Sequence, residues 1–251
     1  MPKVSIVTVV YNGALTIADT LRSVQQQTYA DIEHIVIDGA STDETLAVVR
    51  QFPHVAHVLS EPDSGIYDAM NKGVSLATGD IVALLNADDQ YQHDEVVEQA
   101  VNVMRESAVE ACYADLVYVK QRDTRQVVRY WRSQTHQPGL CFSGWMPAHP
   151  TLFLLRSVYE RAGLFDTSMQ YQADLEFCAR IFEKYKISSI YVPNFWVRMR
   201  MGGVTNRSLT TIFRGNWESY QALRKMGLKT ACLPYFVKKL APRIVQYLRR
   251  P

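Results

Sequence analysis

Cysteine is scarce in this chain: Cys112, Cys141, Cys178 and Cys232 lie far apart, with neither paired metal-ligand spacing nor the density of a disulfide framework. Reduced thiols in a cytoplasmic protein are the simplest account. No G-x-G-x-x-G follows the first apolar run, which argues against a dinucleotide-binding oxidoreductase. No G-x-x-x-x-G-K-[ST] occurs either, which argues against a P-loop nucleotide hydrolase. Low-complexity tracts and internal repeats are missing. The uncharged run from Thr230 to Val237 is far too short to span a bilayer. Met1-Pro2-Lys3 followed by Val4 to Val10 is too short and wrongly flanked for a signal peptide, and is expected to be a first strand. Acidic residues also run out: none follows Glu218.

The 251 residues are 47% hydrophobic, enough for one large domain with a full core. The net charge of +2 hides an asymmetry, because eight Lys and Arg follow Glu218 and leave residues 1–218 at about −6. Through the first half, apolar runs alternate with helical stripes. Val4–Val10, Ile32–Asp38, Val55–Leu59 and Ile81–Leu85 are expected as strands. Ile17, Leu21 and Val24 mark a helix after the turn Tyr11-Asn12-Gly13, and Ile66–Ala77 marks another. Ser41 and Glu44 have capping-box spacing, predicting a helix through Leu46 and Val49. Continuous apolar strands alternating with helices predict a mostly parallel sheet covered on both faces.

The second half is less regular. Ala111–Val119 and Gln126–Trp131 are expected as strands joined by a polar turn, and Gln134–Pro150 as a long loop. A short strand at Thr151–Leu155, a helix from Asp174 to Tyr185, strands at Ile187–Val192 and Phe195–Met199, and helix from about Ser208 onward complete the expectation.

Polar residues sit where the strands of the first half stop. Tyr11-Asn12 follow the first, Asp38 closes the second, Glu61 to Gly65 follow the third, and Asn86-Ala87-Asp88-Asp89 the fourth. Strand ends converging on one sheet edge predict a binding crevice. Adjacent Asp88 and Asp89 repel unless a cation lies between them. Hard oxygen ligands suit Mg²⁺ or Mn²⁺ bridging to substrate phosphates, although an Asx turn or helix cap would use the same residues.

Five segments in this order carry a resemblance. They are VSIVTVVYN at 4–12, VIDGASTD at 36–43, EPDSGIYDAMNKG at 61–73, ATGD at 77–80 leading to NADD at 86–89, and HPTLF at 149–153 through GLFD at 163–166 to Ala173-Asp174. Together they resemble the family 2 glycosyltransferases, inverting enzymes of the GT-A fold, from Val4 to about Asn206. In flavour they are similar to bacterial enzymes that assemble exopolysaccharide, capsule or O-antigen units. The resemblance implies an α/β GT-A fold with a mostly parallel central sheet and a helical C-terminal extension. Residues 1–206 would form the transferase domain, with a nucleotide-sugar half at 1–90 and an acceptor half at 91–206, and 207–251 a basic amphipathic extension.

The implied roles follow residue by residue. Asp38 accepts a hydrogen bond from the imide of a donor pyrimidine, and the Tyr11 ring walls or stacks on the base. Asn12, Asp63, Gly65 and Asn71 are donor-proximal, Gly65 also permitting a tight turn. Asp88 is the expected ligand of Mn²⁺ or Mg²⁺, with Asp89 as its partner or a helix cap. Asn86 stands where the family often has the first aspartate of its D-x-D motif, so it can hydrogen-bond a hydroxyl but adds no charge. Asp174 is the candidate general base for an acceptor hydroxyl, an N-cap role being compatible with it. His149 and Trp145 are left between structural and site roles.

Apolar residues recur after Leu233 while Lys238, Lys239, Arg243 and Arg250 occupy other faces, interrupted by Pro234 and Pro242. A basic helix lying on an anionic membrane is one reading, with basic residues contributing roughly 1 kcal/mol each. An ordinary helix docked on the body is the other, and nucleic-acid binding lacks a recognised module. The expected function is inverting transfer from a nucleoside-diphosphate sugar, UDP-linked, to a polyprenyl-diphosphate-linked or saccharide acceptor at the inner face of the cell membrane. Two rivals remain: an inactive nucleotide-sugar-binding or scaffold protein, and a nucleotidyltransferase, whose basic phosphate loop is not seen.

Overall fold

The structure is a computed structural model that describes residues 1–202, 209–227, 229, 231–232, 234–237 and 239. Its organising element is β1 (Val4–Val10), whose seven residues are all buried. A β-branched run of this kind suits a strand packed on both faces, where each Val or Ile contributes about 1.5–3 kcal/mol over the exposed state. β1 pairs in parallel with β2 (Ile32–Asp38) on one side and with β4 (Ile81–Leu84) on the other. β3 (Val55–Ser60) extends β2, again in parallel. Between them run α1 (Ile17–Gln25), α2 (Thr45–Val49) and α3 (Ile66–Leu76), as right-handed crossover logic requires. α3 lies close to the sheet because Gly73 has no side chain; a Cβ there would overlap Val7 Cγ1 and approach Ile37 Cγ1 to 3.2 Å.

Beyond β4 the sheet becomes mixed. The order is β3-β2-β1-β4-β8-β6-β9-β5, with β7 paired to β6. β5 (Gln90–Tyr91), α4 (Val96–Glu106), β6 (Ala111–Val119), β7 (Val127–Trp131), β8 (Phe153–Leu155), α5 (Arg156–Ala162) and α6 (Ala173–Ala179) follow in sequence. The last strand, β9 (Ser189–Arg200), replaces the two strands expected there. It runs parallel to β6, with a register shift from Ala114↔Val192 to Asp115↔Phe195 that accommodates Pro193 and Asn194. α6 is shorter than expected and continues as a π-type turn over Arg180–Lys184. α7 (Leu209–Lys225) then packs on α6.

Strand register fixes the two ends of the parallel half. Val10, Asp38 and Ser60 lie side by side, so the loops after β1, β2 and β3 open on one edge. Leu85 N donates to Val7 O at 2.9 Å and brings the loop after β4 to that edge as well. The opposite edge is closed by Glu33, which accepts from Lys3 Nζ (2.8 Å), Ser5 Oγ (2.5 Å), Thr78 N (2.9 Å) and Thr78 Oγ1 (2.6 Å). Burial alone would raise its pKa, but these donors outweigh it and hold the carboxyl at about 2.

The expected capping box does not form. α2 starts at Thr45, and Ser41 Oγ accepts from Asn12 N at 2.7 Å instead of capping a helix. Asp43 does the local work by accepting from Thr45 N at 3.0 Å, from Thr45 Oγ1, and from Ala14 N at 3.1 Å. Contacts between the β1 and β2 loops outcompete the local cap.

Candidate active site

The first three strand ends form one wall of the crevice. Asp38 is fully buried, and its Oδ2 accepts from Ser41 N (3.0 Å) and Ser60 Oγ (2.6 Å). Its Oδ1 is buried with no partner, an acceptor available to an incoming N–H. Asp63 reaches over Gly39: a Cβ at residue 39 would collide with Asp63 Oδ2 and lie 3.5 Å from the Tyr11 ring. The other Asp63 oxygen accepts from Gly65 N at 2.9 Å, and Gly65 has φ +124°, which glycine tolerates. Tyr11 is 66% exposed and so is free to meet a ligand ring.

Two residues expected beside the donor are committed elsewhere. Asn12, at φ 50°, accepts at its Oδ1 from Thr42 N at 2.9 Å and so ties the β1 loop to the β2 loop. Asn71, expected beside the donor, bonds to the chain instead. Its amide is taken at both ends by the Phe165 backbone, each bond 2.9 Å, so it fastens the 165 turn to α3.

In the loop after β4, Asp88 is half-buried and Asp89 fully buried. Asn86 Nδ2 donates to Asp89 Oδ2 at 3.1 Å, and Asp89 Oδ1 has no partner. Burial raises the pKa of Asp88, and burial followed by the Asp88 charge raises that of Asp89 well above the carboxylate range. Asp89 thus sits behind Asp88, enclosed, and not beside it as a second exposed carboxylate. The loop also has a cation that sequence reading missed. Arg200, 6% exposed at the end of β9, donates to the Asp88 carbonyl at 3.2 Å and pairs with Asp19 of α1 at 2.5 Å. A desolvated carboxylate in front of an unpartnered buried carboxylate oxygen is a donor set that fits a divalent cation.

The facing wall belongs to α6. Asp174 lies in its first turn, not at the N-cap, which is Gln172. Asp174 Oδ1 accepts from Leu175 N at 2.8 Å and from Tyr67 OH at 3.3 Å, while Oδ2 faces His149 Nδ1 at 3.6 Å. Burial, then the Asp174 charge, pushes the Tyr67 phenol up, so it stays a donor. Burial lowers His149, with Asp174 opposing, which favours the neutral imidazole. A small cavity is lined by Leu84, His149, Leu152, Phe165, Asp174 and Cys178, so the strand leading to Asn86 and the helix bearing Asp174 border one space. His149 therefore borders the same space as Asp174. Trp145 instead packs its ring against Tyr113, His136 and Phe182, at 6.0, 6.0 and 6.4 Å between centroids.

Among the described residues, His136, Cys141 and Glu183 form a second cluster with ligand atoms within 4.8 Å. Glu183 already accepts from Gly139 N (2.7 Å) and Cys141 N (2.9 Å), and burial keeps Cys141 a thiol, so the cluster fastens the 134–150 loop to the π-type turn.

The tail follows the docked reading where it is described. Tyr235 is buried and Lys239 is 6% exposed, bonded to Gln172 Oε1 (2.9 Å) and Ser219 Oγ (2.7 Å). Lys239, expected on a face other than the apolar one, is therefore buried against the body. Leu233, Lys238, Leu240 and residues 241–251 lie outside the described residues.

Known proteins match this chain in sequence and in fold. A PGL/p-HBAD biosynthesis glycosyltransferase of Mycobacterium bovis is 30% identical over 196 residues, 76% of this chain and 74% of that protein. An uncharacterized glycosyltransferase of Mycobacterium tuberculosis is 42% identical over 105 residues, so the match spans 41% of this chain and only 40% of that relative's length. Among solved structures, S. aureus TarS 1–349 in complex with UDP-GlcNAc superposes with TM-score 0.69 at 14% identity, covering 98% of this chain and 71% of that one. The mannosyltransferase PcManGT of Pyrobaculum calidifontis, in complex with GDP-Man and Mn²⁺, gives TM-score 0.66 at 23% identity, covering 99% and 70%. These two likenesses establish the shared GT-A fold. The model of the family described as glycosyl transferase family 2 matches residues 5–163, and the chain belongs to that family.

Proposed function

We propose that this protein is a metal-dependent inverting glycosyltransferase that moves a sugar from a UDP-linked donor to a hydroxyl of a lipid-linked or saccharide acceptor. The observation that carries the reading is the space shared by Leu84, at the end of β4, and Asp174, across the crevice on α6. It sets a carboxylate opposite the loop that handles the donor diphosphate. The UDP-GlcNAc and GDP-Man complexes of the structural relatives support a nucleotide-sugar donor, and the PGL/p-HBAD biosynthesis relative supports an assembly role.

In this reading Asp38 Oδ1 accepts from the pyrimidine imide, and Asp63 and Tyr11 border the nucleoside. Asp88 would hold Mn²⁺ or Mg²⁺ with Asp89 behind it, and Asn86 steadies both the Asp89 carboxyl and a donor hydroxyl. When bound, the ion supplies Lewis-acid stabilisation of the leaving diphosphate. Asp174, oriented by Tyr67 and the Leu175 amide, takes the proton from the acceptor hydroxyl as that oxygen attacks C1. Attack opposite the diphosphate inverts the anomeric centre without a covalent enzyme intermediate.

The same reading places the protein peripherally at the inner face of the membrane. No described helix is long and apolar enough to cross it. Support for surface contact comes from Phe213 and Trp217, 63% and 42% exposed one turn apart on α7, a helix that also exposes Arg214 and Lys225.

The test is UDP release from a panel of UDP-sugars with Mn²⁺. Turnover that falls by roughly 10²-fold or more in Asp174→Asn, with UDP binding retained, supports the base. Loss of metal dependence in Asp88→Ala supports the ligand. Tight donor binding with no turnover across donors and acceptors overturns the enzyme in favour of a binding or scaffold protein, and pyrophosphate release would make it a nucleotidyltransferase.

A further inference from the structure

The turn that leads into α6 is held by a carboxylate from the C-terminal extension. α6 has no cap from its own side chains. Gln172, in the N-cap position, donates from Nε2 to the Tyr171 carbonyl at 3.1 Å and accepts at Oε1 from Lys239 Nζ at 2.9 Å. The backbone amides are taken instead by Glu218 of α7. Gln170 N donates to Oε1 at 2.6 Å, and Tyr171 N and Gln172 N donate to Oε2 at 2.8 and 2.9 Å. Three consecutive N–H groups on one carboxylate make a charge-assisted set with little freedom to shift. Gly215, one turn earlier on α7, lets the two segments touch: its Cβ would lie 3.2 Å from Tyr171 Cβ.

Lys239 braces the same junction from the far side. Besides Gln172 it donates to Ser219 Oγ, the neighbour of Glu218, at 2.7 Å. Its stem fills the space at Gly144, where a Cβ would come within 2.8 Å of the lysine chain. Gly144 belongs to the loop that continues through Trp145 to His149, the residue facing Asp174. One lysine therefore joins α7, the entry to α6 and the His149 loop.

We propose that Glu218, braced by Lys239, is a positioning residue that sets the Asp174 carboxylate for the acceptor, an inference that rests on Asp174 being the general base. Asp174 is two residues beyond the last clamped amide and is shared with Tyr67 of α3 and His149. A small rotation of the α6 entry changes both partners at once, whereas the donor wall, built on the ends of β1 to β4, is untouched. The C-terminal extension is then part of the acceptor half of the site and not an appendage to it.

The experiment compares Glu218→Ala, Glu218→Gln and Lys239→Met with the wild type. Donor-site integrity is read by calorimetric titration with UDP and Mn²⁺, the fold by thermal unfolding, turnover by UDP release from UDP-GlcNAc, and the α6 entry by hydrogen exchange at residues 170–176. The expected result is UDP affinity within about twofold of wild type while kcat falls roughly tenfold or more in Glu218→Ala, as a displaced catalytic group gives. Glu218→Gln, which keeps one acceptor oxygen for Tyr171 N and Gln172 N but turns an N–H toward Gln170 N, recovers part of the rate. Exchange rises at residues 170–176 and not in the donor loops. Unchanged kcat and exchange in folded Glu218→Ala overturns the proposal, and so does a loss of UDP affinity and kcat together in step with stability. If Glu218→Ala does not fold, the same readouts on Glu218→Gln and Lys239→Met decide. Failure of the base reading is separate: it shows as Asp174→Asn retaining turnover, whatever Glu218 does.

Discussion

Replacing Glu33 by Gln separates the stability of the sheet from the chemistry of its far edge. Glu33 is 3% exposed and takes four hydrogen bonds from Lys3, Ser5 and Thr78. Burial opposes ionisation, but the donors prevail and lower its pKa from the ordinary 4.5 to about 2. A carboxyl depressed in the folded state stabilises the protein above its unfolded pKa, and that stabilisation is lost as pH falls through the folded value. The difference corresponds to about 3 kcal/mol at neutral pH. Gln keeps the shape but loses the charge and turns an N–H toward existing donors. Thermal and urea unfolding between pH 7 and pH 3 should show a variant less stable by about 3 kcal/mol at pH 7, or roughly 6–12 °C in Tm. The gap should narrow below pH 4.5 as the wild type loses its advantage. UDP affinity at pH 7 should not change, because Glu33 lies at the edge opposite Asp38. A gap under about 1 kcal/mol at pH 7, or one that does not narrow in acid, would refute the network's role.

Three further outcomes follow from the geometry. Gly73→Ala drives a methyl into Val7 at the closest approach of α3 to the sheet, and the overpacking should cost about 1–3 kcal/mol in chemical unfolding despite better helix propensity. Asp38→Asn removes the charge from the buried acceptor Oδ1 and should weaken UDP binding by roughly 10–100-fold in calorimetry, the loss of one charge-assisted hydrogen bond. Phe213→Ser combined with Trp217→Ser should lower co-sedimentation with phosphatidylglycerol vesicles while leaving UDP release in solution, from the UDP-sugar that the panel identifies, unchanged; undiminished sedimentation would remove α7 from the membrane reading.

The sequence by itself determined the parallel half of the sheet and the edge on which the crevice opens. The runs Val4–Val10, Ile32–Asp38 and Ile81–Leu84 carry apolar residues on both faces, a pattern that favours a buried strand, and their polar ends are then expected at one edge. That pattern also predicts Asp38, Asp63 and Asp88 at one edge, since Asp38 closes β2 and the other two lie three and four residues past β3 and β4. Tertiary structure alone decided which groups those residues meet. Arg200 reaches the Asp88 carbonyl across more than a hundred residues, and Asp89, adjacent to Asp88 in sequence, is enclosed behind it. Ser41 and Glu44 have the spacing of a cap, yet the loop after β1 takes the serine. Lys239 has the helical phase of a solvated residue and is buried against Gln172 and Ser219. Asp174 was legible as a carboxylate near a helix start and His149 as a residue of open role, but Tyr67 and the Glu218 clamp were not. Periodicity records whether a side chain faces oil or water; the partner of a polar group is set by which distant segments the packed core brings within 3 Å, and no local pattern encodes that.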